Sequence, residues 1–335
     1  MTFGVSALGC LAIMATVNFV VNPYGTSPSR YFSPYSWNVR QAKVTQLQQL
    51  PSVPQLLILG SSRSFSLSPA YVRLRTGLVS YNASVTSGRM IDFLAFLRFT
   101  LSLPTAYRLK VVVLGLDAGS FWPDIVTPME LRATPSLFRY GSAEQSRFSD
   151  EFSERFRIIA FSQFLDSLRS IAQARTGRPP NLTVEPDGVV RFEERERQIR
   201  EGQYDLDSAI DEELPYLRES YGRRWAFSPV HISRFRQIAQ LCDQHGIRLV
   251  VWLSPEHPRA VAALRDLGWE QDRSQVLDLL RAQRASGLRF DLYDFSTIDR
   301  FQGTPDGFIN ATHVRQSNAE KILERLLAGT GDAVQ

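Results

Sequence analysis

A serine turn and a distant histidine are the residues of this chain best suited to nucleophilic chemistry. The turn, Gly60-Ser61-Ser62-Arg63, follows an apolar run directly, and His313 lies near the other end of the chain. A serine hydroxyl is a poor nucleophile until a base takes its proton, and imidazole is a common base. The alternatives are that Ser62 only caps a following helix and that His313 is a surface loop residue. The chemistry also needs an oxyanion hole and a group that orients the base.

The elements that must position these residues follow a regular alternation. Helical spacing or a terminal glycine predicts helices between and after a series of apolar runs. This alternation predicts a parallel α/β sheet with helices on both faces. The predicted strands are 55–60, 77–84, 109–117, 247–255 and 288–296, and the predicted helices are 88–103, 228–246, 259–287 and 317–329.

A long interruption, 120–227, separates the third and fourth predicted strands and is too long to be one loop. It contains a predicted helix at 150–175, a hairpin pattern at 183–192 and a charged stretch at 193–214. We interpret the charged stretch as a solvated helix face. The whole segment reads as an insertion folded on the rim of the sheet, as a lid or a partner surface.

The N-terminus contains an uncharged apolar segment, 3–21, whose length matches a membrane-spanning helix. We favour an uncleaved signal anchor, and the alternatives are a cleaved signal peptide and a buried core helix. The predicted organisation is therefore a transmembrane anchor at 1–23, a linker at 24–54, and an α/β domain at 55–335.

The charges that flank this segment favour an orientation opposite to the one that we expect. Arg30, Arg40 and Lys43 follow the segment and no Lys or Arg precedes it, so the positive-inside rule favours a cytoplasmic domain. Long domains, however, are translocated largely regardless of such charges. We expect a single-pass protein of the bacterial inner membrane with its bulk in the periplasm.

Composition gives no indication of nucleic acid or of a metal. The net charge of +4 comes from scattered arginines without a dense basic run, so no nucleic-acid partner is expected. No CxxC or HExxH pattern occurs, and we expect neither a metal nor another cofactor. Cys10 and Cys242 lie in distant regions and do not indicate a compartment.

Four blocks in a fixed order resemble the SGNH (GDSL-type) hydrolase superfamily. They are "LGSSRS", "YNASVTSG", "VVVLGLD" and "NATHV", and the resemblance covers 55–119 and 228–328. The chain looks most like the membrane-anchored branch that handles acyl groups on cell-envelope polymers. The resemblance implies a three-layer, flavodoxin-like α/β fold.

The resemblance also implies roles for individual residues. Ser62 matches the nucleophile, Gly88 matches the glycine whose N–H lines the oxyanion hole, and His313 matches the base. Two positions depart from the family pattern. Asp117 stands where a Gly-x-Asn-Asp block would supply an asparagine, and Asn310 stands where an Asp-x-x-His block would supply the carboxylate.

These departures weaken the catalytic interpretation. Asn310 can hydrogen-bond the imidazole but carries no charge, so an orienting carboxylate would have to come from elsewhere. An ionised Asp117 near the oxyanion would oppose the developing negative charge. The candidates for the orienting carboxylate are Asp306, Glu256, Asp294 and Asp117.

Two further residues are candidates for binding substrate. Arg63 is either a solvated charge or a group that attracts an anionic or polar acceptor. His257, in "LSPEHP", is either a rim histidine packed on Pro255 and Pro258 or, by the resemblance, part of the acceptor site.

Two functional hypotheses remain open. The first is a membrane-anchored SGNH-like esterase or O-acyltransferase that acts on acyl groups of an envelope polysaccharide or a similar ester. The second is a catalytically degraded SGNH-fold subunit with a structural or interaction role, bound to other subunits of a membrane complex.

Overall fold

The computed structural model describes residues 2–23, 31–32, 38–104, 109–123, 129–132, 134–141, 161–176, 182–223 and 226–328. The α-helices in these ranges are α1 (Thr2–Val21), α2 (Val39–Gln49), α3 (Pro69–Thr76), α4 (Met90–Ser102), α5 (Met129–Arg132), α6 (Pro135–Gly141), α7 (Phe161–Thr176), α8 (Glu193–Arg200), α9 (Leu206–Gly222), α10 (Pro229–Gln244), α11 (Pro258–Leu264), α12 (Trp269–Ala285) and α13 (Gln316–Leu327). The strands are β1 (Leu56–Leu59), β2 (Ser80–Asn82), β3 (Val111–Leu116), β4 (Thr183–Val184), β5 (Val190–Arg191), β6 (Arg248–Leu253) and β7 (Asp291–Asp294).

Five of the strands form one parallel sheet in the order β2-β1-β3-β6-β7. The central strands are continuous apolar runs because helices cover them on both faces. Alternate residues of β1 point to opposite sides: Leu57 joins one hydrophobic cluster, whereas Leu56 joins another. The predicted α/β class with a parallel sheet is confirmed.

Helices pack on both faces of this sheet. The Leu57 side is covered by apolar residues of α2, α4, α10 and α12. The Leu56 side is covered by α3 and α13, where Val72, Ile322 and Leu326 are buried. This arrangement is the three-layer, flavodoxin-like one that was expected.

The strand order reverses at β1, and this reversal defines where a ligand can bind. The chain leaves β1 to form β2 on one side and later forms β3 on the other. In open α/β sheets, ligands bind outside the carboxyl ends of the strands at such a switch point. The turn that contains Ser62 follows β1 at this position.

The segment expected to be a linker contains a packed helix. In α2, Val44 and Leu47 are buried, and so are the charged residues Arg40 and Lys43. Arg40 forms a bidentate pair with Asp92 of α4, with nitrogen–oxygen distances of 2.7 and 3.0 Å. The entry into the domain therefore belongs to its core rather than to its surface.

The apolar N-terminal segment forms α1, which packs against α7. Ser167 of α7 donates a hydrogen bond to the buried side chain of Asn18 at 2.8 Å. Among the helices of the described residues, none combines the length and apolar character required to cross a bilayer. The membrane anchor stays a prediction.

The described parts of the insertion pack in several places, with α6 against α4, α7 against α1 and α9 against α11. The predicted hairpin is present as the antiparallel pair β4–β5. None of the α8 side chains is fully buried, but most of them are half-buried rather than exposed. α9 instead packs Ile210, Leu217 and Tyr221 against α11 and the start of α12. The first part of the helix predicted at 150–175 lies outside the described residues, and α7 covers the rest.

Candidate active site

The serine turn is shaped by a tight junction between β1 and a 3-10 turn over Ser62–Ser64. A Cβ at Gly60 would collide with the side chain of Ser64, so the turn requires glycine there. Ser61 caps the 3-10 turn by accepting a hydrogen bond from Arg63 N at 3.4 Å. Because Ser62 is the first residue of the turn, its N–H has no acceptor within the turn and is available to a ligand.

Asn82, the last residue of β2, ties this turn to the sheet. Its Nδ2 donates to the carbonyl oxygens of Ser64 at 2.8 Å and Leu67 at 2.9 Å. Its Oδ1 accepts from the N–H of Ser84 at 3.0 Å. Asn82 is fully buried, so these bonds replace the water that its amide would otherwise bind.

The structure brings the predicted nucleophile and base into contact. Ser62 Oγ lies 2.9 Å from His313 Nε2, and His313 Nδ1 lies 2.9 Å from Asn310 Oδ1. Both distances are hydrogen-bond lengths, and 251 residues of sequence separate the serine from the histidine. The arrangement is that of nucleophile, base and orienting group.

The surroundings of Asn310 determine the tautomer of His313. Asn310 Oδ1 also accepts from the backbone N–H groups of Thr312 at 3.1 Å and His313 at 2.8 Å. These two donors identify the atom facing the ring as the amide oxygen. Nδ1 must then carry the proton, which leaves the lone pair of Nε2 facing the Ser62 hydroxyl. Asn310 therefore orients the base correctly although it carries no charge.

His313 is held in its neutral form. Burial lowers the pKa of His313 to about 3, and the positive charges of Arg63 and Arg195 act in the same direction. The ring of Phe192 packs against the imidazole edge-to-face, with centroids 5.2 Å apart. A neutral imidazole can accept the serine proton, but the resulting imidazolium is disfavoured in these surroundings.

The predicted oxyanion glycine lies beside the serine turn with its amide already bonded. A Cβ at Gly88 would approach Gly60 O and the Phe93 ring to 2.8 Å, so only glycine allows this contact. The Gly88 N–H donates to Val85 O at 3.1 Å rather than into the cleft. Ser87 before it has φ of 48°, a left-handed conformation that is strained for a serine. The Ser62 N–H is the oxyanion donor available without movement.

Asp117 lies at the end of β3 and faces Ser61 rather than Ser62. Its Oδ2 accepts from Ser61 Oγ at 3.2 Å, and its Oδ1 accepts from Ser120 Oγ at 3.2 Å. Arg63 Nε lies 4.0 Å from Oδ2. These partners hold Asp117 in the wall of the cleft that Ser62 also lines.

Arg63 lines the cleft but is already paired. Its guanidinium donates to Glu256 Oε1 at 3.0 Å, and Glu256 also accepts from Tyr221 Oη at 2.8 Å and from Trp269 Nε1. Burial acts to lower the pKa of Arg63, but the charges of Glu256 and Asp117 outweigh it and raise the pKa. Arg63 is thus part of a buried polar network behind the serine turn.

His257 lies behind the loop that carries Asn310 and His313 and is not one of the residues that line the cleft. It is buried at the start of α11, where Nδ1 accepts from Arg259 N at 3.1 Å and the ring packs edge-to-face on Phe308. Burial lowers the pKa of His257. Its backbone N–H donates to Ala311 O at 2.8 Å and so holds the loop that carries His313.

None of the remaining candidate carboxylates stands behind His313. Asp306 is exposed on a 3-10 turn at Pro305–Gly307. Asp294 pairs with Arg273 and Arg300, each at 3.0 Å, and Glu256 pairs with Arg63.

The insertion contributes residues to the site that no sequence motif predicts. Phe192 packs on His313, and Glu213 of α9 accepts a 2.8 Å hydrogen bond from Thr312 Oγ1. Glu213 lies within the charged stretch 193–214, which reads as solvated. The one sequence feature that could indicate an inward-facing Glu213 is the presence of apolar residues in the same helix.

The cleft in front of Ser62 and His313 has a volume of about 590 Å³. Its walls combine aromatic, apolar, arginine and acidic side chains from five stretches of the chain. These include Arg89, Trp122, Tyr216, Leu217 and Arg223. Within the described ranges, no group of three or more His, Cys, Asp or Glu side chains is placed to hold a metal ion.

Comparisons with known proteins do not assign this chain to a family. No protein-family model matches the chain, and no curated protein matches it. One similar solved structure is a Bacteroides fragilis protein provisionally described as an acylhydrolase, with 8% sequence identity and a TM-score of 0.39. The match covers 89% of this chain and 98% of that chain. A similarity at this level carries no argument about activity.

Proposed function

We propose that this chain is an SGNH-like serine esterase or O-acyltransferase. The observation that carries the proposal is the contact of Ser62 Oγ with His313 Nε2 at 2.9 Å, with Asn310 on the far nitrogen. The position of these groups outside the carboxyl ends of β1 and β3 supports it, because that is where open α/β sheets bind ligands.

The reaction would pass through an acylated serine. Ser62 Oγ attacks the ester carbonyl while its proton moves to His313 Nε2, and the Ser62 N–H stabilises the oxyanion. The Gly88 N–H joins it if the loop releases Val85 O. The imidazolium then gives its proton to the leaving alcohol. Water or a sugar hydroxyl then attacks the acyl group while its proton moves to His313 Nε2. The imidazolium returns a proton to Ser62 Oγ as the bond between the serine and the acyl group breaks.

The substrate we propose is an acyl ester on an envelope polysaccharide or a similar molecule, reached by a membrane-anchored enzyme. The cleft supports a polar substrate with a flat apolar face. Its walls include Trp122 and Tyr216, against which a sugar ring can pack. They also include Arg89 and Arg223, which bond Gly119 O and Glu219 within the protein.

A second candidate function is a structural subunit of a membrane complex that has lost catalysis. Asn310 and the bonded N–H of Gly88 favour it, since both weaken stabilisation of charged intermediates. A stoichiometric membrane partner that co-purifies with an unreactive chain would support this alternative.

Hydrolysis of p-nitrophenyl acetate separates the two candidates. We expect the chain to show Ser62-dependent turnover that Ser62→Ala abolishes. Ser274→Ala is the matched control, because Ser274 is an exposed serine of α12 that does not line the cleft. Turnover that persists in Ser62→Ala, or that is absent from the wild-type protein, would contradict the proposed function.

A further inference from the structure

A carboxylate from the insertion is connected to the catalytic histidine through one hydroxyl group. Thr312 Oγ1 lies 3.2 Å from His313 Nδ1 and donates to Glu213 Oε1 at 2.8 Å. A threonine hydroxyl has one hydrogen and two lone pairs, and an ionised carboxylate only accepts. The hydroxyl hydrogen of Thr312 therefore points to Glu213. A lone pair of the same hydroxyl can accept from His313 Nδ1–H, which also donates to Asn310 Oδ1.

Glu213 lies in surroundings that a purely structural glutamate would avoid. Its Oε2 is buried and has no hydrogen-bond partner among the residues that the structure describes. A buried polar atom without a partner destabilises the folded state. Burial raises the pKa of Glu213, and the Thr312 hydrogen bond, the charges of Arg63 and Arg195 and the nearby backbone N–H of Ala311 act against this rise.

We propose that Glu213 is the positioning carboxylate of this active site, acting on His313 through the hydroxyl of Thr312. This inference rests on the proposed function. When Ser62 loses its proton to Nε2, the imidazolium keeps the Nδ1 proton and no proton reaches Glu213. The negative charge of Glu213 stabilises the imidazolium, and the hydroxyl of Thr312 helps to hold the ring in place.

The charges around His313 explain why such a carboxylate is needed. Arg63 of the serine turn and Arg195 of α8 both disfavour a positive imidazolium. The two hydrogen bonds, 2.8 and 3.2 Å long, limit the separation of Glu213 Oε1 and His313 Nδ1 to about 6 Å. A charge at this distance in a partly buried site changes a rate by about tenfold to a hundredfold.

The test compares Glu213→Gln with Glu212→Gln, a neighbouring exposed glutamate of the same helix. The readouts are p-nitrophenyl acetate turnover and the rate of labelling by a fluorophosphonate, in which Ser62 Oγ displaces fluoride from phosphorus. We expect Glu213→Gln to lower kcat and the labelling rate by about tenfold to a hundredfold while KM changes less than about twofold. Glu212→Gln should match the wild-type protein.

The pH profile distinguishes a charge effect from a packing effect. The groups that face His313 and Glu213 are Arg63, Arg195 and the hydroxyl of Thr312. Because the pKa of Glu213 is raised, the wild-type labelling rate should fall as the pH falls through that pKa, where the carboxylate becomes neutral. This fall in rate at acidic pH, the acid limb of the profile, should be absent from Glu213→Gln. His313 does not produce such a fall in the same pH range, because its own pKa is lower and it stays neutral there.

Variants at Thr312 test the connection itself. Thr312→Ser keeps the hydroxyl and should retain the wild-type rate. Thr312→Val removes both hydrogen bonds and should lower kcat, but it should keep the acid limb because the Glu213 carboxylate is still present. An unchanged kcat or an unchanged acid limb in Glu213→Gln would overturn the inference. If the wild-type protein is labelled at Ser62 in that case, only the role of Glu213 fails. A wild-type protein that is never labelled overturns both this inference and the proposed function.

Discussion

Asn310 decides at the level of a single residue whether His313 can act as a base. Its oxygen accepts from the Thr312 and His313 N–H groups, and this fixes the side chain so that Nδ1 keeps its proton. In a Ser-His-Asp triad, one aspartate both orients the histidine and supplies a negative charge. Here Asn310 orients His313 without supplying a charge.

Replacing Asn310 tests this separation. Asn310→Asp keeps the acceptor and adds a charge that raises the pKa of His313, so we expect kcat to rise by about tenfold. Asn310→Ala removes the acceptor, and kcat should fall by about tenfold or more. Steady-state turnover of p-nitrophenyl acetate measures both. Equal losses in the two variants would mean that Asn310 only holds the loop.

His313 should also make stability depend on pH. Its pKa is about 3 in the folded protein, below the ordinary value of 6.5, so the unfolded chain binds more protons between these pH values. The free energy of unfolding should therefore fall as the pH falls from 6.5 towards 3.

Urea unfolding of the wild-type protein and of His313→Gln measures this contribution. Between pH 7 and pH 5, His313 should account for a loss of about 1–2 kcal/mol in the free energy of unfolding. The variant should show a smaller loss over the same interval. The same loss in both proteins would place the pKa of His313 close to its ordinary value.

The loop before α4 is the element that packs directly on the serine turn. Gly88 lies against Gly60 O and the Phe93 ring, and Ser87 takes a left-handed conformation beside it. The buried pair of Arg40 and Asp92 supports this loop, because Arg40 also donates to Thr86 O at 3.1 Å.

Gly88→Ala should displace this loop from the serine turn. The added methyl would lie 2.8 Å from two neighbours, so we expect a loss of at least about tenfold in kcat together with a lower Tm. Gly222→Ala is the matched control, because a Cβ there has open space. An active and equally stable Gly88→Ala protein would show that the loop tolerates movement.

An element can be predicted from the sequence when its pattern of apolar residues lies within one short stretch of the chain. Continuous apolar runs locate β1, β3 and β6, and the serine turn follows from the first of them. α2 is not recognised because its charged and amide residues read as a surface linker. Its burial depends on partners such as Asp92, 52 residues from Arg40.

The same limitation applies to the site. Ser62, His313 and Asn310 follow from motifs, and the structure brings them together. Glu213 does not follow from any motif, since 99 residues separate it from Thr312 and its neighbours are charged. A charge run gives no indication of which member faces inward. The tertiary packing of α9 on α11 decides this.

At the scale of the whole molecule, the insertion completes the site. Phe192 from the segment after β5 packs on His313, and Tyr204 donates from its hydroxyl to Ile309 O beside the catalytic loop. A sheet without the insertion would leave His313 open to water and without Glu213.

The predicted anchor also belongs to this scale. α1 exposes Ile13 and Phe19, with 63% and 55% of their surfaces accessible. We expect the full chain to sediment with bacterial inner membranes and a chain lacking 1–23 to stay in the supernatant. The removed segment should not change turnover by the remaining domain. A full chain that stays in the supernatant would contradict the anchor.

The most direct test of the proposed chemistry is the site of fluorophosphonate labelling, determined by mass spectrometry of the digested protein. The account predicts one adduct on the peptide that contains Ser62, and no adduct in Ser62→Ala. His313→Ala should slow labelling by about a hundredfold or more because the base is lost. A wild-type protein without an adduct, or with an adduct on another residue, would contradict the assignment of Ser62 as the nucleophile.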